Sequence, residues 1–296
     1  MTAVLSVDNI TKYYGKIRAL NGVSFEVPKG SVFGILGPNG SGKTTLLGTI
    51  MDVLNPNSGS FRFFGRVPDA DTRKQIGTLL ETPNFYHYLT GENNLKIATE
   101  IKQRGFEQVD EVLKKVNLYD RRKSKFSTYS LGMKQRLAIA SCLLGDPEVL
   151  VFDEPTNGLD PVGIAEIRDL ITSLNKEGKT IIMASHLLDE VEKVCTHVAI
   201  LKTGNLVTAG AVDEVLVNED IVEVSSANLN ELENVLQQMD GFKTLKRTGT
   251  CIQLNYPMGS SYPEKINEHC FQHGIILNQL HIKKKSLESK FFELTK

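Results

Sequence analysis

The sequence predicts an α/β fold, a mixed sheet with helices and an antiparallel β subdomain, followed by a small α+β unit. Three observations carry that prediction. An apolar run, Val32, Phe33, Gly34, Ile35 and Leu36, leads into GPNGSGKTT at residues 37–45 and then into a helix-like stretch at 45–54. Two more apolar runs, at 149–152 and 180–185, read as buried strands with a helical segment between them. Past residue 217 the order resets to the series βαββαβ, which fits a ferredoxin-like unit.

Taken in order, residues 5–10, 17–20 and 23–27 are β-like, and Pro28, Lys29 and Gly30 make a turn before the first buried run. Another β-like segment, 60–64, ends at Gly65. From Thr90, a candidate N-cap with Asn93 at the box position, the pattern becomes helical, and Val109, Val112, Leu113 and Val116 recur at helical spacing. Residues 162–175 and 187–194 read as helices, and 202–206 with 207–210 as a closing hairpin around Gly204. Next come a strand at 221–225, a helix at 229–239, strands at 242–246 and 250–255, a helix at 263–273 and a strand at 275–282. The expected domains are therefore 1–216, with a helical subdomain at about 90–145, and 217–296.

A chain of 296 residues with 41% hydrophobic content supports a large core plus a smaller one. The net charge of −1 leaves no electrostatic footprint for nucleic acid, so none is expected as a partner. Cys142, Cys195, Cys251 and Cys270 lack paired spacing and read as free thiols in a reducing compartment. No apolar stretch approaches the roughly 18 residues of a membrane span, so the chain is expected to be neither membrane-spanning nor secreted.

The loop at 37–45 has the chemistry of a phosphate cradle. Gly37, Pro38, Asn39, Gly40, Ser41 and Gly42 let successive N–H groups turn inward, and Lys43 reaches the β and γ oxygens. The Thr44 hydroxyl can ligand Mg²⁺, and Thr45 continues into the helix. Nucleotide binding is the default reading. Asp153 and Glu154 end the strand of VLVFDEPTNGLD, where open sheets bind ligands, and a carboxylate there can take a proton from water.

YSLGMKQRLAIA at 129–140, VLVFDEPTNGLD at 149–160, His186 after TIIMAS, and Tyr14 before Gly15 stand in the right order around the loop. Together they resemble the ATPase subunit of an ABC transporter, over about the first 215 residues. The resemblance implies the ABC form of the P-loop NTPase fold, with ATP and Mg²⁺ as ligands. It implies that Lys43, Glu154 and His186 serve hydrolysis, Glu154 by polarising the attacking water and His186 as the switch residue. Thr44, Asp153 and Glu81 would neighbour Mg²⁺, and Tyr14, in competition with Tyr13, would stack on adenine. Ser130 and Gly132 match the serine and second glycine of the signature LSGGQ and would close over ATP held by the opposite subunit, and Asp160 matches the loop that would contact that subunit near the attacking water. Leu131 and Met133 depart from that signature.

A chain of this kind without a span of its own implies an integral membrane permease as partner and a second copy, or a related ATPase subunit, as its pair. It would be cytoplasmic and peripheral on the inner face of the cell membrane. The C-terminal extension, with its tail SLESKFFELT, resembles that of ABC-2-type exporters, and the wording YSLGMKQR and LLETPNFY resembles lantibiotic and bacitracin immunity ATPases. Two other classes stay open at this point: a soluble ABC-type ATPase acting on nucleic acid or ribosomes, and a weakly hydrolysing regulatory module. The isolated pair His269 and His273 and the run Lys283, Lys284, Lys285 read as wet surface.

Overall fold

Two long strands, β1 (Ala3–Tyr14) and β2 (Ile17–Pro28), open the chain, and in the computed structural model they pair antiparallel along most of their length. The structure describes residues 2–80, 84–215, 219–257, 259–284 and 291. The sequence divides this ribbon into three short runs because the register shifts repeatedly between Val7 and Tyr13, and Asn9 takes a left-handed backbone with φ 51°. Each slip inverts the inside/outside alternation that marks a strand.

Strand β3 (Val32–Leu36) is buried throughout, as a strand covered on both faces must be, and leads through the glycine loop to α1 (Lys43–Ile50). The helix stops before the predicted residue 54 because Asp52 turns left-handed at φ 60°, so that Val53 and Leu54 both donate to the Gly48 carbonyl. Strand β4 (Ser58–Phe63) joins the free edge of β1, giving the order β2-β1-β4. Helix α2 (Ala70–Lys74), capped by Asp69, is too short to leave a periodic trace in the sequence, and β5 (Ile76–Leu79) follows it.

Helices α3 (Gly91–Lys102), α4 (Val109–Lys115) and α5 (Leu131–Leu143) pack together over buried Leu95, Val112, Leu113, Phe126 and Leu137. Thr90 caps α3 as expected, accepting from Asn93 N–H at 3.2 Å. Buried Asn94 holds the preceding segment by accepting from Tyr86 N–H at 2.8 Å and donating to the Tyr86 and Thr90 carbonyls.

The chain then alternates β6 (Val149–Asp153), α6 (Pro161–Lys176), β7 (Thr180–Ser185), α7 (Leu188–Val194), β8 (His197–Lys202) and β9 (Asn205–Ala211). The six-stranded order is β5-β6-β7-β3-β8-β9, parallel except for β9. The closing hairpin therefore turns at Thr203 and Gly204, and its first arm lies earlier than the sequence places it. Among the described residues no helix is long and apolar enough to cross a membrane.

The chain divides into two compact units, Met1–Val212 and Asp213–Lys296, with α8 (Val212–Val215) at the division. The second contains β10 (Glu219–Ser226), α9 (Leu229–Leu236), β11 (Thr244–Thr248), β12 (Cys251–Pro257), α10 (Pro263–Gln272) and β13 (Leu277–Lys284). All pairings in its sheet, ordered β11-β12-β10-β13, are antiparallel. It has its own apolar core, which includes Val222, Val224, Leu232, Leu236, Ile252, Leu254, Ile266 and Cys270. Strand β11 begins two residues later than predicted because Phe242 packs against that core, edge-on to Tyr256 at 6.3 Å, instead of extending the strand. The tail SLESKFFELT lies outside the described residues except for Phe291. Cys142, Cys195, Cys251 and Cys270 are not joined in disulfides, and burial pushes the Cys142 thiol up to about 12.

Candidate nucleotide site

Strands β6, β7 and β3 are neighbours, and their registers set Asp153 opposite Ala184 and Leu36 opposite Ser185. The glycine loop, the Asp153–Glu154 pair and His186 therefore leave the sheet at one carboxyl edge, where parallel sheets hold ligands. The order of strands, rather than nearness in sequence, assembles the site.

Lys43 is 6% exposed. Its ammonium donates to the Gly37 carbonyl at 2.8 Å and lies 3.4 Å from both the Pro38 carbonyl and Glu154 Oε1. Glu154 Oε2 meets His186 Nδ1 at 2.8 Å, so one carboxylate spans lysine and imidazole. The Glu154 backbone is left-handed, with φ 49°, a conformation uncommon for side chains other than glycine, asparagine and aspartate. Its N–H donates to the Ala184 carbonyl at 3.0 Å and its carbonyl accepts from Asn157 N–H at 3.1 Å, which holds that turn.

Helix α1 starts at Gly42, with φ 106°, and neither a capping side chain nor an acidic residue occupies its first turn. Its leading N–H groups and the positive end of the helix dipole are therefore available to an anion. A Cβ on Gly42 would stand 2.5 Å from the Ala19 carbonyl of β2, so only glycine lets the loop seat against the β1–β2 hairpin. Among the described residues the buried Ser41 hydroxyl has no hydrogen-bond partner, which suits a loop that receives a polar ligand.

Thr44 is exposed at the helix start and Asp153 is buried at the strand end. A hydroxyl and a carboxylate are hard oxygen donors of the kind Mg²⁺ takes. Glu81, the third expected metal neighbour, lies outside the described residues. Tyr13 and Tyr14 end β1, but their surroundings differ. Arg18 bonds the Tyr13 hydroxyl at 2.6 Å and lies 5.1 Å from its ring, whereas Tyr14 is 46% exposed with Lys12 at 5.5 Å from its ring.

The other expected residues stand apart from this cluster. Ser130 caps α5, accepting from Met133 N–H at 3.3 Å, and Gly132 follows in the first turn. Asp160 caps α6, accepting from Gly163 N–H at 2.8 Å. Sequence reasoning passed over Ala19, whose carbonyl seats Gly42, and Leu159, which sits beside Gly132 and Gly163. The first leaves no signal, because it acts through its backbone. The second could have been noticed as a lone apolar residue in the polar turn TNGLD.

Residues 20–157 match the family model described as ABC transporter. Over 301 residues the chain is 38% identical to "Uncharacterized ABC transporter ATP-binding protein YhcH" of Bacillus subtilis (strain 168), covering 100% of this chain and 97% of that protein. The chain belongs to the ABC transporter ATP-binding proteins. As an ABC ATPase it is an ATP-binding, ATP-hydrolysing subunit of a transporter. It is also 33% identical over 300 residues to "Bacitracin transport ATP-binding protein BcrA" of Enterococcus faecalis, covering 99% of this chain and 97% of that one. A solved ABC structure, "Dimeric structure of a post-hydrolysis state of the ATP-binding cassette MJ0796 bound to ADP and Pi", is 27% identical. It superposes with a TM-score of 0.63 over 71% of this chain and 99% of that chain.

Proposed function

We propose that two copies of this chain, or one copy and a related ATPase subunit, close around two ATP molecules and drive a separate integral membrane permease of an ABC-2-type exporter. The protein then works at the cytoplasmic face of the cell membrane, with an antimicrobial peptide or drug as the class of cargo. The name of the bacitracin transport relative, aligned along almost the whole chain, supports the exporter reading. Residues 1–216 form the nucleotide-binding domain, with its helical subdomain at about 90–145, and 217–296 an accessory domain.

The observation that carries the reading is the Lys43–Glu154–His186 cluster beside an uncapped helix start. The cradle of Gly37, Pro38, Asn39, Gly40, Ser41, Gly42, Lys43, Thr44 and Thr45 holds the phosphates, and Tyr14 stacks on the base. Mg²⁺, held through Thr44 and Asp153 with Glu81 nearby, would neutralise phosphate charge. Glu154 takes the proton of the water that attacks the γ-phosphorus. The bond to the β-phosphate oxygen breaks, and ADP and phosphate leave. His186 fixes the Glu154 carboxylate and donates to the γ-phosphate. Ser130 and Gly132 supply a hydroxyl and N–H groups from across the pair, with Asp160 beside them, as a two-fold arrangement requires.

Mixing two inactive chains tests the shared site. A pair of Lys43→Ala and Ser130→Ala chains contains one doubly damaged site and one intact one, so ATP turnover should reappear on mixing. If each site were built within a single chain, the mixture would stay as inactive as its parts.

Nucleotide binding also separates the two tyrosines. Tyr14→Ala is expected to weaken binding of a fluorescent ATP analogue by about 5- to 150-fold, given that stacking on a base is worth roughly 1–3 kcal/mol. Tyr14→Phe and Tyr13→Ala should stay near wild type, and the reverse order would make Tyr13 the base platform.

The permease docks, in this reading, on a groove of about 500 Å³ between residues 84–86 and α3, lined by Phe85, Tyr86, Ile97, Ile101 and Lys102. Ile101 is 77% exposed there, which suits an apolar helix laid into the groove. Lys102 donates to the Ser141 carbonyl at 2.5 Å, and burial lowers its pKa. Ile101→Glu is expected to abolish co-purification with the membrane subunit while ATP binding is retained. Undiminished co-purification would move the docking surface elsewhere.

A further inference from the structure

Leu131 and Leu159 each reach across from one turn to a glycine of the other, between two turns that the proposed mechanism uses separately. A Cβ built on Gly158, where φ is 74°, would stand 3.3 Å from Leu131 Cδ2, so the Leu131 side chain lies directly over that glycine. The next residue, Leu159, sits between two helix starts. Its Cδ2 is 4.0 Å from a Cβ built on Gly132 in α5, and its Cβ and Cδ1 are 3.4 and 3.6 Å from one built on Gly163 in α6. The leucines thus hold the first turn of α5 against the loop before α6, where glycines leave room for them.

The loop they grip begins at Glu154. Asn157 N–H donates to the Glu154 carbonyl at 3.1 Å and Leu159 N–H to the Thr156 carbonyl at 3.3 Å, two successive turns that join Glu154 to Leu159. On the other side, Leu131 directly follows Ser130, the cap of α5. Short hydrogen-bonded turns therefore connect the loop under Leu131 to the residue whose carboxylate meets Lys43 and His186. Leu131 is 49% exposed and belongs to neither of the buried apolar clusters around Phe33 and Val222.

We propose that Leu131 is a positioning residue. With Leu159 it clamps the Ser130 end of α5 to the turn that carries Glu154, so that the part of the chain offered to a partner's ATP and the part that hydrolyses its own ATP keep a fixed spacing. This rests on the reading of Ser130 and Glu154 given above. It explains why a leucine, and not a small residue, is useful at the first position of this helix.

The test uses the full chain with Leu131→Ala, Leu131→Gly, Leu131→Met, Leu159→Ala and Ser130→Ala. ATP turnover against ATP concentration, equilibrium nucleotide binding and thermal melting are measured for each. For Leu131→Ala and Leu131→Gly, kcat is expected to fall about five- to tenfold with nucleotide affinity unchanged, because a half-buried leucine is lost away from the cradle. Leu131→Met refills the space and should restore most of the turnover. The Leu131→Ala, Leu159→Ala double variant should lose less than the product of the two single losses, since both substitutions loosen the same pair of turns. Turnover at or above wild type in Leu131→Gly overturns the proposal, as does a Met variant as slow as the Ala variant. Loss in Ser130→Ala with no loss in Leu131→Ala and Leu131→Gly removes the clamp alone. A fully active Ser130→Ala removes the role of Ser130 and the clamp with it.

Discussion

Glu154→Gln is expected to lower ATP turnover by about 10²- to 10⁴-fold, the usual contribution of a positioned general base, while ATP stays bound. The substitution keeps the size of the side chain and tolerates the same left-handed backbone as well as glutamate does. It removes the one function an amide cannot perform, accepting the proton of the attacking water. It also removes the negative partner 3.4 Å from Lys43, leaving that ammonium more available to phosphate, so affinity for ATP should hold or rise. Phosphate release and nucleotide binding, measured on the same preparation, check both halves. Wild-type turnover in this variant would take the base away from Glu154, and simultaneous loss of binding would make it a structural residue of the cradle.

Lys43→Ala acts on the other side of the same contact and is expected to weaken ATP binding by about 10- to 100-fold, the range of a charge-assisted hydrogen bond lost from a shielded site. Lys43 is almost fully buried, and its ammonium bonds the Gly37 carbonyl at 2.8 Å. Its removal therefore deletes a phosphate ligand and a brace of the loop together. Among the described residues it also leaves the Glu154 carboxylate with the His186 imidazole as its one remaining ion-pair partner, which makes the carboxylate a repulsive neighbour for the γ-phosphate. Lys43→Arg should not repair the defect, since a planar fork does not fit a space shaped for a point charge. Titration with a fluorescent nucleotide gives the measurement, and unchanged affinity would mean that the loop binds through its backbone alone.

The parts of the site that sequence made legible are those whose chemistry depends on residue type in a fixed local frame. Lys43 in its glycine loop, Asp153 and Glu154 at a strand end, and His186 past TIIMAS could be placed because each ends or follows an uninterrupted apolar run. What joins them, the neighbouring order of β6, β7 and β3, is a long-range property that no local pattern records. The left-handed turn at Glu154 was equally hidden, because glutamate carries no preference for that conformation. Fold elements failed to read where alternation is broken or the segment is short: the bulged β1–β2 ribbon and α2 of five residues. Phe242 misled for a different reason, since its hydrophobicity serves packing under the second sheet rather than the strand beside it.

The cluster of Val222, Leu232, Ile252 and Ile266 shares no member with the cluster around Phe33, Leu46 and Val151. Calorimetry of the whole chain should accordingly resolve two endotherms instead of one, so that a single melting temperature does not describe it. Added nucleotide is expected to move the endotherm of the first unit alone, by mass action. Substitutions at Lys43, Glu154 or Leu131 should be judged against that transition, with the other serving as an internal reference in the same scan.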